Sequence, residues 1–379
     1  MVPKLYDSFD LTSNRRGGVD YLGRITSCSK CLCTETRRGE YTLELETSSN
    51  DPTAGALISQ RIVAVKPNPH DPVQHFEIQN TERDLSGAIR LSAKHIKNFA
   101  CQLVSEGDIT YVDNPTVFDL TPEGVWDKLF NSLYPYITDT CPFNFSSNIT
   151  DTAGFFLGFN EPALLGDIFG GANGSMIDMF GGEFHYDNYD IEFLSSRGTA
   201  SNYRLRYGQN ISDAKQNENC IQTYSHVLPY GSISREDGRY IYLFSPLYSI
   251  PNSDCRTKKV FILDCSDAAK DIQVGIQGER YDTARAAMTA YAQRYASSNR
   301  IGKTGISIDV TTVAELEAMQ QLGLCDTVKV ILDKFGITTT AKITSVTYNC
   351  LLERWEKMTV GVAPVSLADL ILDKKRYNL

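Results

Sequence analysis

The sequence predicts an α+β chain that is mostly β, and three observations carry that prediction. Twenty Tyr and 17 Phe stand against two Trp, and aromatic and β-branched side chains suit the half-buried face of a pleated sheet. Runs that alternate apolar and polar residues recur along the chain, as in Glu40-Tyr41-Thr42-Leu43-Glu44-Leu45-Glu46-Thr47. Clear helical spacing is confined to a few segments, chief among them Tyr281 to Tyr295. At 379 residues the chain is too long for one ordinary core, so two to four domains are expected, at about 100–200 residues each.

In chain order, Glu40 to Thr47 reads as a half-exposed strand. Ile58 to Val65 and Val73 to Gln79 read as two more, joined by a turn over Pro67, Asn68, Pro69, Asp71 and Pro72. Leu91 to Phe99 is expected as a helix, with Leu91, His95, Ile96 and Phe99 on one side. Asp113-Asn114-Pro115 marks a boundary. Thr121-Pro122 then caps a helix that carries Val125, Leu129, Phe130 and Leu133 and stops at Pro135. From Gly154 to Gly208 the chain turns Gly-rich and β. Glu183 to Tyr186 and Tyr189 to Leu194 alternate around a hairpin turn at Asp187-Asn188. Further strands are expected at Tyr203 to Tyr207, Thr223 to Leu228, Tyr240 to Phe244 and Lys259 to Leu263. Tyr281, Ala284, Met288, Tyr291 and Tyr295 form one apolar helical stripe, the pattern of a core helix. Ile306 to Val310, Val328 to Leu332, Ile337 to Val346 and Leu351 to Val360 read as a small β unit, and Ser366 to Tyr377 as a short amphipathic helix.

The charge balance narrows the function classes. A net charge of −9 argues against a general nucleic-acid binder, which needs clustered Lys and Arg for phosphate contacts. Arg15-Arg16, Arg37-Arg38 and Lys374-Lys375-Arg376 read as solvated tips. No apolar run reaches the roughly 18 residues of a membrane span, and Met1 to Asp10 has no secretory h-region. The expected place of synthesis and folding is therefore a reducing cytoplasm. The ten cysteines are accordingly expected as free, mostly buried thiols, and the Asn-x-Ser/Thr sites at Asn144, Asn148, Asn173 and Asn210 carry no glycosylation message.

A search for chemistry yields few candidates. Cys28-x-x-Cys31-x-Cys33 could share a metal, but a closed site needs a fourth ligand. In a strand Cys31 and Cys33 face one way and Cys28 the other. The five histidines, His70, His75, His95, His185 and His226, form no HExxH or HxH motif, and no G-x-S-x-G elbow occurs. A triad assembled in space stays open on sequence alone. His185, near Asp187 and Asp190, is the one carboxylate-rich His, and it reads first as a polar hairpin tip. Arg300-Ile301-Gly302-Lys303-Thr304-Gly305 lacks the upstream glycine and the preceding strand of a phosphate loop. No catalytic residue, no cofactor and no metal site is assigned.

The Gly-rich middle carries a resemblance. Gly174-Ser175-Met176-Ile177-Asp178-Met179-Phe180-Gly181-Gly182-Glu183-Phe184-His185-Tyr186-Asp187-Asn188-Tyr189-Asp190-Ile191 leads to Arg197-Gly198, then Arg206-Tyr207-Gly208-Gln209-Asn210-Ile211, then Leu228-Pro229. This order resembles the prophage tail endopeptidase family of Gram-positive siphophages, the N-terminal region of tail-associated lysins or minor structural proteins. Ile58 to Phe76, Ser92-Ala93-Lys94-His95-Ile96 and Leu324-Cys325-Asp326-Thr327-Val328-Lys329-Val330 with Glu353-Arg354 agree with it, although Cys325 stands where glycine is usual.

The resemblance implies a fold like the hub of contractile-phage baseplates. That fold has two small β-barrel-like domains with two inserted or appended α/β domains, assembling as a pseudo-sixfold trimeric ring. A threefold object can dock on a sixfold tube only if each chain presents two similar faces. The implied boundaries are 1–113 with strands from about 200–235 as the first barrel-like domain and 114–199 as an inserted α/β domain. Residues 236–270 with 324–365 form the second barrel-like domain, 271–323 a small insertion and 366–379 a C-terminal helix. The implied function is the structural hub of a tail tip, closing the distal tail tube. It links a distal tail protein hexamer and a tape-measure protein to receptor-binding or fibre proteins, in a virion made in the bacterial host cytoplasm. Genome DNA passes the channel without specific binding, which the acidic balance suits. The alternative is a cell-wall endopeptidase acting during DNA entry. The family's lytic domains, where present, lie C-terminal to this region, and Leu379 falls about where one would begin.

Overall fold

The computed structural model describes residues 2–10, 17–37, 39–106, 118–130, 133–134, 141–155, 157–159, 162–172, 174–206, 211–219, 223–269, 272–299, 301–302, 305–312, 321–332 and 337–361. Several expectations lie outside them: the boundary at Asp113 to Pro115, the helix stop at Pro135, Asn173, Tyr207 to Asn210, Cys220, Lys303 and Thr304, the helix from Ser366 to Tyr377, and the basic pairs at Arg15-Arg16, Arg38 and Lys374 to Arg376.

The first part of the chain is mostly strand: β1 (Lys4–Phe9), β2 (Gly18–Arg24), β3 (Lys30–Thr36), β4 (Tyr41–Ser48), β5 (Ile62–Val65), β6 (Gln74–Arg83) and β7 (Ala88–His95), with a 3-10 turn at Ala54–Ala56. They pair in the order β3-β4-β7-β6-β5-β1-β2, every pair antiparallel. In β4, Tyr41, Leu43, Leu45 and Thr47 are buried and the residues between them are not, the period of two that the sequence displays. The expected helix at Leu91 to Phe99 is a correction. Ile89, Leu91, Ala93 and His95 are buried in alternation along β7, and only α1 (Lys97–Cys101) is helical. A spacing of four satisfies both periods. The strand prevails because β7 lies between β4 and β6, which take the backbone hydrogen bonds on both of its edges.

The next segment is mixed: β8 (Val104–Ser105), β9 (Phe118–Leu120), α2 (Pro122–Phe130), β10 (Leu133–Tyr134), β11 (Asn144–Ser147), β12 (Ala153–Phe155), β13 (Ala163–Leu164), α3 (Met176–Phe180), β14 (Glu183–Asp187) and β15 (Asp190–Leu194). Thr121 caps α2 as expected, its Oγ1 accepting from the Gly124 N–H at 3.1 Å. The helix buries Val125, Trp126 and Leu129 but is shorter than expected. Leu133, assigned to it from spacing, is buried on β10 instead. β14 and β15 form a hairpin as expected, but its turn lies one residue later than Asp187-Asn188: Asp187 pairs with Asp190, and the loop is Asn188-Tyr189, with Asn188 in the left-handed region at φ 51°. Its tip docks on the N-terminal sheet, where the Gln74 amide donates to Asp187 Oδ1 at 2.7 Å and accepts from the Asn188 N–H at 2.9 Å.

The rest comprises β16 (Ala200–Arg206), β17 (Ile211–Asn219), β18 (His226–Ser234), β19 (Tyr240–Phe244), β20 (Tyr248–Ser249), β21 (Val260–Asp264), α4 (Tyr281–Asn299), β22 (Gly305–Thr312), β23 (Thr327–Leu332), β24 (Ile337–Asn349) and β25 (Arg354–Gly361). The order β17-β22-β25-β24 continues into β3, so the two ends of the chain share one 13-stranded sheet, with β16 and β23 branching from β24. The seam sets Ser345 to Asn349 against Thr36 to Leu32. The ends of the path, β17 and β2, are not paired with each other, so among the described residues the sheet is open and no closed barrel is formed. β18 to β21 make a separate four-stranded sheet.

Two cores result. One lies on the long sheet and includes Leu43, Phe76, Val330 and Trp355. The other joins the mixed segment to β18 and α4 through Trp126, Phe155, Val227 and Tyr291. Ala284, Met288, Tyr291 and Tyr295 are buried along α4 as the stripe predicts, widened by Ala292, Ala296 and Asn299. No helix among the described residues is long and apolar enough to cross a membrane.

Candidate functional site

Where the hairpin meets the long sheet, charged side chains from distant elements converge. Glu35 on β3 receives a forked pair from Arg197, Nη1 to Oε1 at 2.6 Å and Nη2 to Oε2 at 3.3 Å. Glu183, only 3% exposed at the start of β14, accepts from Lys342 Nζ at 2.7 and 2.8 Å, from the Arg197 N–H at 2.7 Å and from Arg37 Nε. A buried carboxylate without such partners would be strongly destabilising. Burial alone would raise the Glu183 pKa, but Lys342, Arg37 and the Arg197 N–H outweigh it and lower it. Burial likewise disfavours the Arg197 cation, and Glu35 overcomes it.

Beside this cluster a shallow cleft of about 320 Å³ is lined by Glu35, Asp71, His185, Arg197, Asp326 and Trp355, among others. His185 is here, but not with the carboxylates that the sequence suggests. Its Nδ1 lies 2.7 Å from Glu192 and its Nε2 3.4 Å from Asp71. Asp187 instead accepts from Gln74, and Asp190 from Asn144. Burial works against the imidazolium, yet Asp71 and Glu192 raise the His185 pKa. Asp71 is itself pulled down to about 2 by His185 and Asn68, against the effect of its burial. A general base needs a free ring nitrogen near a proton to abstract. Both nitrogens of His185 face carboxylates, so the site favours a held cation over a base.

The rings of His75, His95 and His226 are also engaged, that of His75 with Asn188 Oδ1 at 2.9 Å. His95 is fully buried and stacks on Tyr41. Its Nδ1 accepts from the Lys97 N–H at 3.1 Å, which makes Nε2 the donor to Gln74 Oε1 at 2.9 Å. Burial, followed by the charge of Lys97, holds its pKa well below the ordinary value. His226 Nδ1 lies 2.7 Å from Ser225 Oγ, a Ser–His contact. That hydroxyl also accepts from the Lys259 N–H at 2.9 Å and donates to Lys259 O at 3.1 Å, so it pins the start of β21.

Cys31 and Cys33 are buried on the same face of β3 as expected. Cys28 departs from the alternation because it precedes the strand. Its Sγ donates to Lys30 O at 3.0 Å, and its thiol neighbours that of Cys31. Among the described residues no group of His, Cys, Asp and Glu has metal-binding geometry. The Gly302 loop follows α4, not a strand.

One surface stands apart. The outer face of the four-stranded sheet exposes Tyr240, Tyr242 and Phe244 on β19 and Val260 and Ile262 on β21. The register places these strands on either side of β18. Contiguous apolar surface of this kind marks an interaction face.

Comparison with known proteins agrees with the sequence resemblance. Residues 199–363 match the family model described as prophage endopeptidase tail. No curated protein matches the chain. The fold is similar to that of a prophage tail protein from Listeria monocytogenes, at 14% identity and a TM-score of 0.62 over 99% of each chain. It is similar also to a 43 kDa prophage tail protein from Shewanella oneidensis, at 11% identity and a TM-score of 0.56 over 96% of this chain and 98% of that one. A tail protein from Neisseria meningitidis follows, at 10% identity and a TM-score of 0.51 over 95% and 96%. At such identities the likeness is one of fold.

Proposed function

We propose that this chain is a structural hub of a phage or prophage tail tip, acting as a homotrimer that closes the distal tube. The observation that carries the reading is the end-to-end likeness in fold to a prophage tail protein, covering 99% of both chains. The strand pairing supports it. The long sheet has two strand-rich halves, β1 to β7 and β16 to β17 with β22 to β25, and among the described residues their strands pair with each other where β3 meets β24. In this reading the halves are the two barrel-like units that give a threefold ring its pseudo-sixfold face, and the insertions are the segment from β8 to β15, close to the expected 114–199, and the segment from β18 to α4, which takes in the 236–270 that the resemblance implies for the second barrel-like unit. The buried charge junction fixes the first insertion to both halves through Glu35, Glu183, Arg197 and Lys342. The ring would sit between a distal tail protein hexamer and host-recognition parts, with the tape-measure protein and the DNA at its centre.

Light-scattering mass after size exclusion tests the assembly. The proposal expects a concentration-dependent species of three 42.2 kDa chains. A strict monomer at every concentration, or a dimer, counts against it. The second reading, a cell-wall endopeptidase, is favoured by the description of the matching family model. Digestion of purified cell wall that disappears in His185→Ala would establish it.

A further inference from the structure

The structure brings a third cysteine to the two that the sequence groups. The β24–β3 register runs Tyr348 to Cys33 and Asn349 to Leu32. One step further places Cys350 opposite Cys31, and the Cys350 N–H donates to Cys31 O at 2.9 Å. The thiols of Cys28 and Cys350 both neighbour that of Cys31. Cys31 and Cys350 are 0% and 1% exposed, whereas Cys28 is half-buried at the surface. Directly opposed antiparallel residues have Cα atoms about 4.5–5.5 Å apart, inside the roughly 4.4–6.8 Å that a disulfide spans.

We propose that Cys28, Cys31 and Cys350 form a thiol–disulfide exchange site, in which a small-molecule disulfide enters at Cys28 and the bond comes to rest between Cys31 and Cys350. Entry falls to Cys28 because it is the accessible thiol. The neighbouring thiols of Cys28 and Cys350, and then burial, push the Cys31 thiol well above its ordinary pKa, and a buried protonated thiol is a poor first nucleophile. Cys28 sulfur attacks the small disulfide and releases one reduced thiol. Cys31 sulfur then attacks Cys28, passing its proton to the second departing thiolate. Cys350 sulfur attacks Cys31 and returns Cys28 as a thiol. In total Cys31 and Cys350 lose two hydrogens and the oxidant becomes two thiols. The new bond crosses the seam between the two halves of the long sheet and closes a loop of nearly the whole chain.

The full chain, incubated folded with oxidised glutathione, alkylated and digested without reductant, tests this. A peptide linked through Cys31 and Cys350 is expected, with no glutathione retained. The melting temperature should rise and return on reduction. Cys28→Ser should slow the linkage by about tenfold or more, since the attack must then begin at a buried thiol, while leaving the reduced protein's melting temperature unchanged. Cys350→Ala should stop the reaction at a Cys28–Cys31 bond. If that variant fails to fold, the Cys28→Ser rate still decides. Glutathione held on Cys28 with no internal link, a final Cys28–Cys31 bond in the parent, equal rates in Cys28→Ser, or thiols protected by stoichiometric zinc would each overturn the proposal.

Discussion

The pair Arg197–Glu35 allows a quantitative test of the junction. Its side chains are 12% and 7% exposed and meet through two hydrogen bonds of 2.6 and 3.3 Å. Arg197→Met keeps the length of the side chain but leaves the Glu35 carboxylate buried without its cation. Breaking a buried pair in this way costs about 3–5 kcal/mol, whereas replacing both partners by apolar residues of similar volume is often neutral. Arg197→Met should therefore melt well below the parent, and Arg197→Met with Glu35→Leu should recover most of the loss. The assay is a chemical-denaturation midpoint for parent, both single variants and the double variant, read as a double-mutant cycle. A single variant within about 0.5 kcal/mol of the parent, the range of an ordinary surface substitution, would show that the junction does not hold the insertion. A double variant as unstable as the sum of the singles would show that the two residues act separately.

Further outcomes follow from the same structure. Tyr291, 7% exposed on α4, should tolerate no charge: Tyr291→Asp should cost several kcal/mol by thermal melt, of the order of about 3 or more for a buried unpaired charge. The pH dependence has a worked sign. His185 is raised, so its contribution is complete below about pH 6.5 and is lost as pH rises through its folded value. Asp71, lowered to about 2, contributes fully above its unfolded value and loses that as pH falls toward about 2. His185→Gln should therefore remove part of the alkaline loss of stability above about pH 6.5 in a melting series, and an unchanged alkaline slope would count against the ion pair. Tyr242→Glu with Phe244→Glu, on the exposed sheet face, should leave the melting temperature of the chain within a few degrees while weakening self-association in sedimentation. Pure protein should leave cell wall undigested at neutral pH, as measured by release of soluble peptide.

Local periodicity made much of the fold legible. The alternation in Tyr41 to Ser48, the cap at Thr121 and the stripe on α4 are each encoded within a single strand, turn or helix. The turn read from the sequence, at Asp187-Asn188, would set Asp190 opposite His185; the loop falls one residue later, at Asn188-Tyr189, and that register sets Glu192 there, so this partner could be found by counting across the turn only once the turn is placed correctly. Asp71, Arg37 and Lys342 could not. They come to their partners from 114 to 159 residues away through long-range strand pairing, which no local pattern records. The same holds for Cys350 beside Cys31. The failure at Leu91 has a different origin. Leu91 and His95 fit periods of two and four alike, and only the neighbouring strands β4 and β6 decide between them.

The central claim is a threefold structural hub at the distal end of a tail. Electron microscopy of tails purified from the producing cell, with the chain marked by a small tag and a bound antibody fragment, tests it most directly. The account predicts three copies of the label in one ring at the tip, a threefold density continuous with a sixfold tube. A label spread along the tube, absent from the particle, or present at the tip in any number other than three would contradict it.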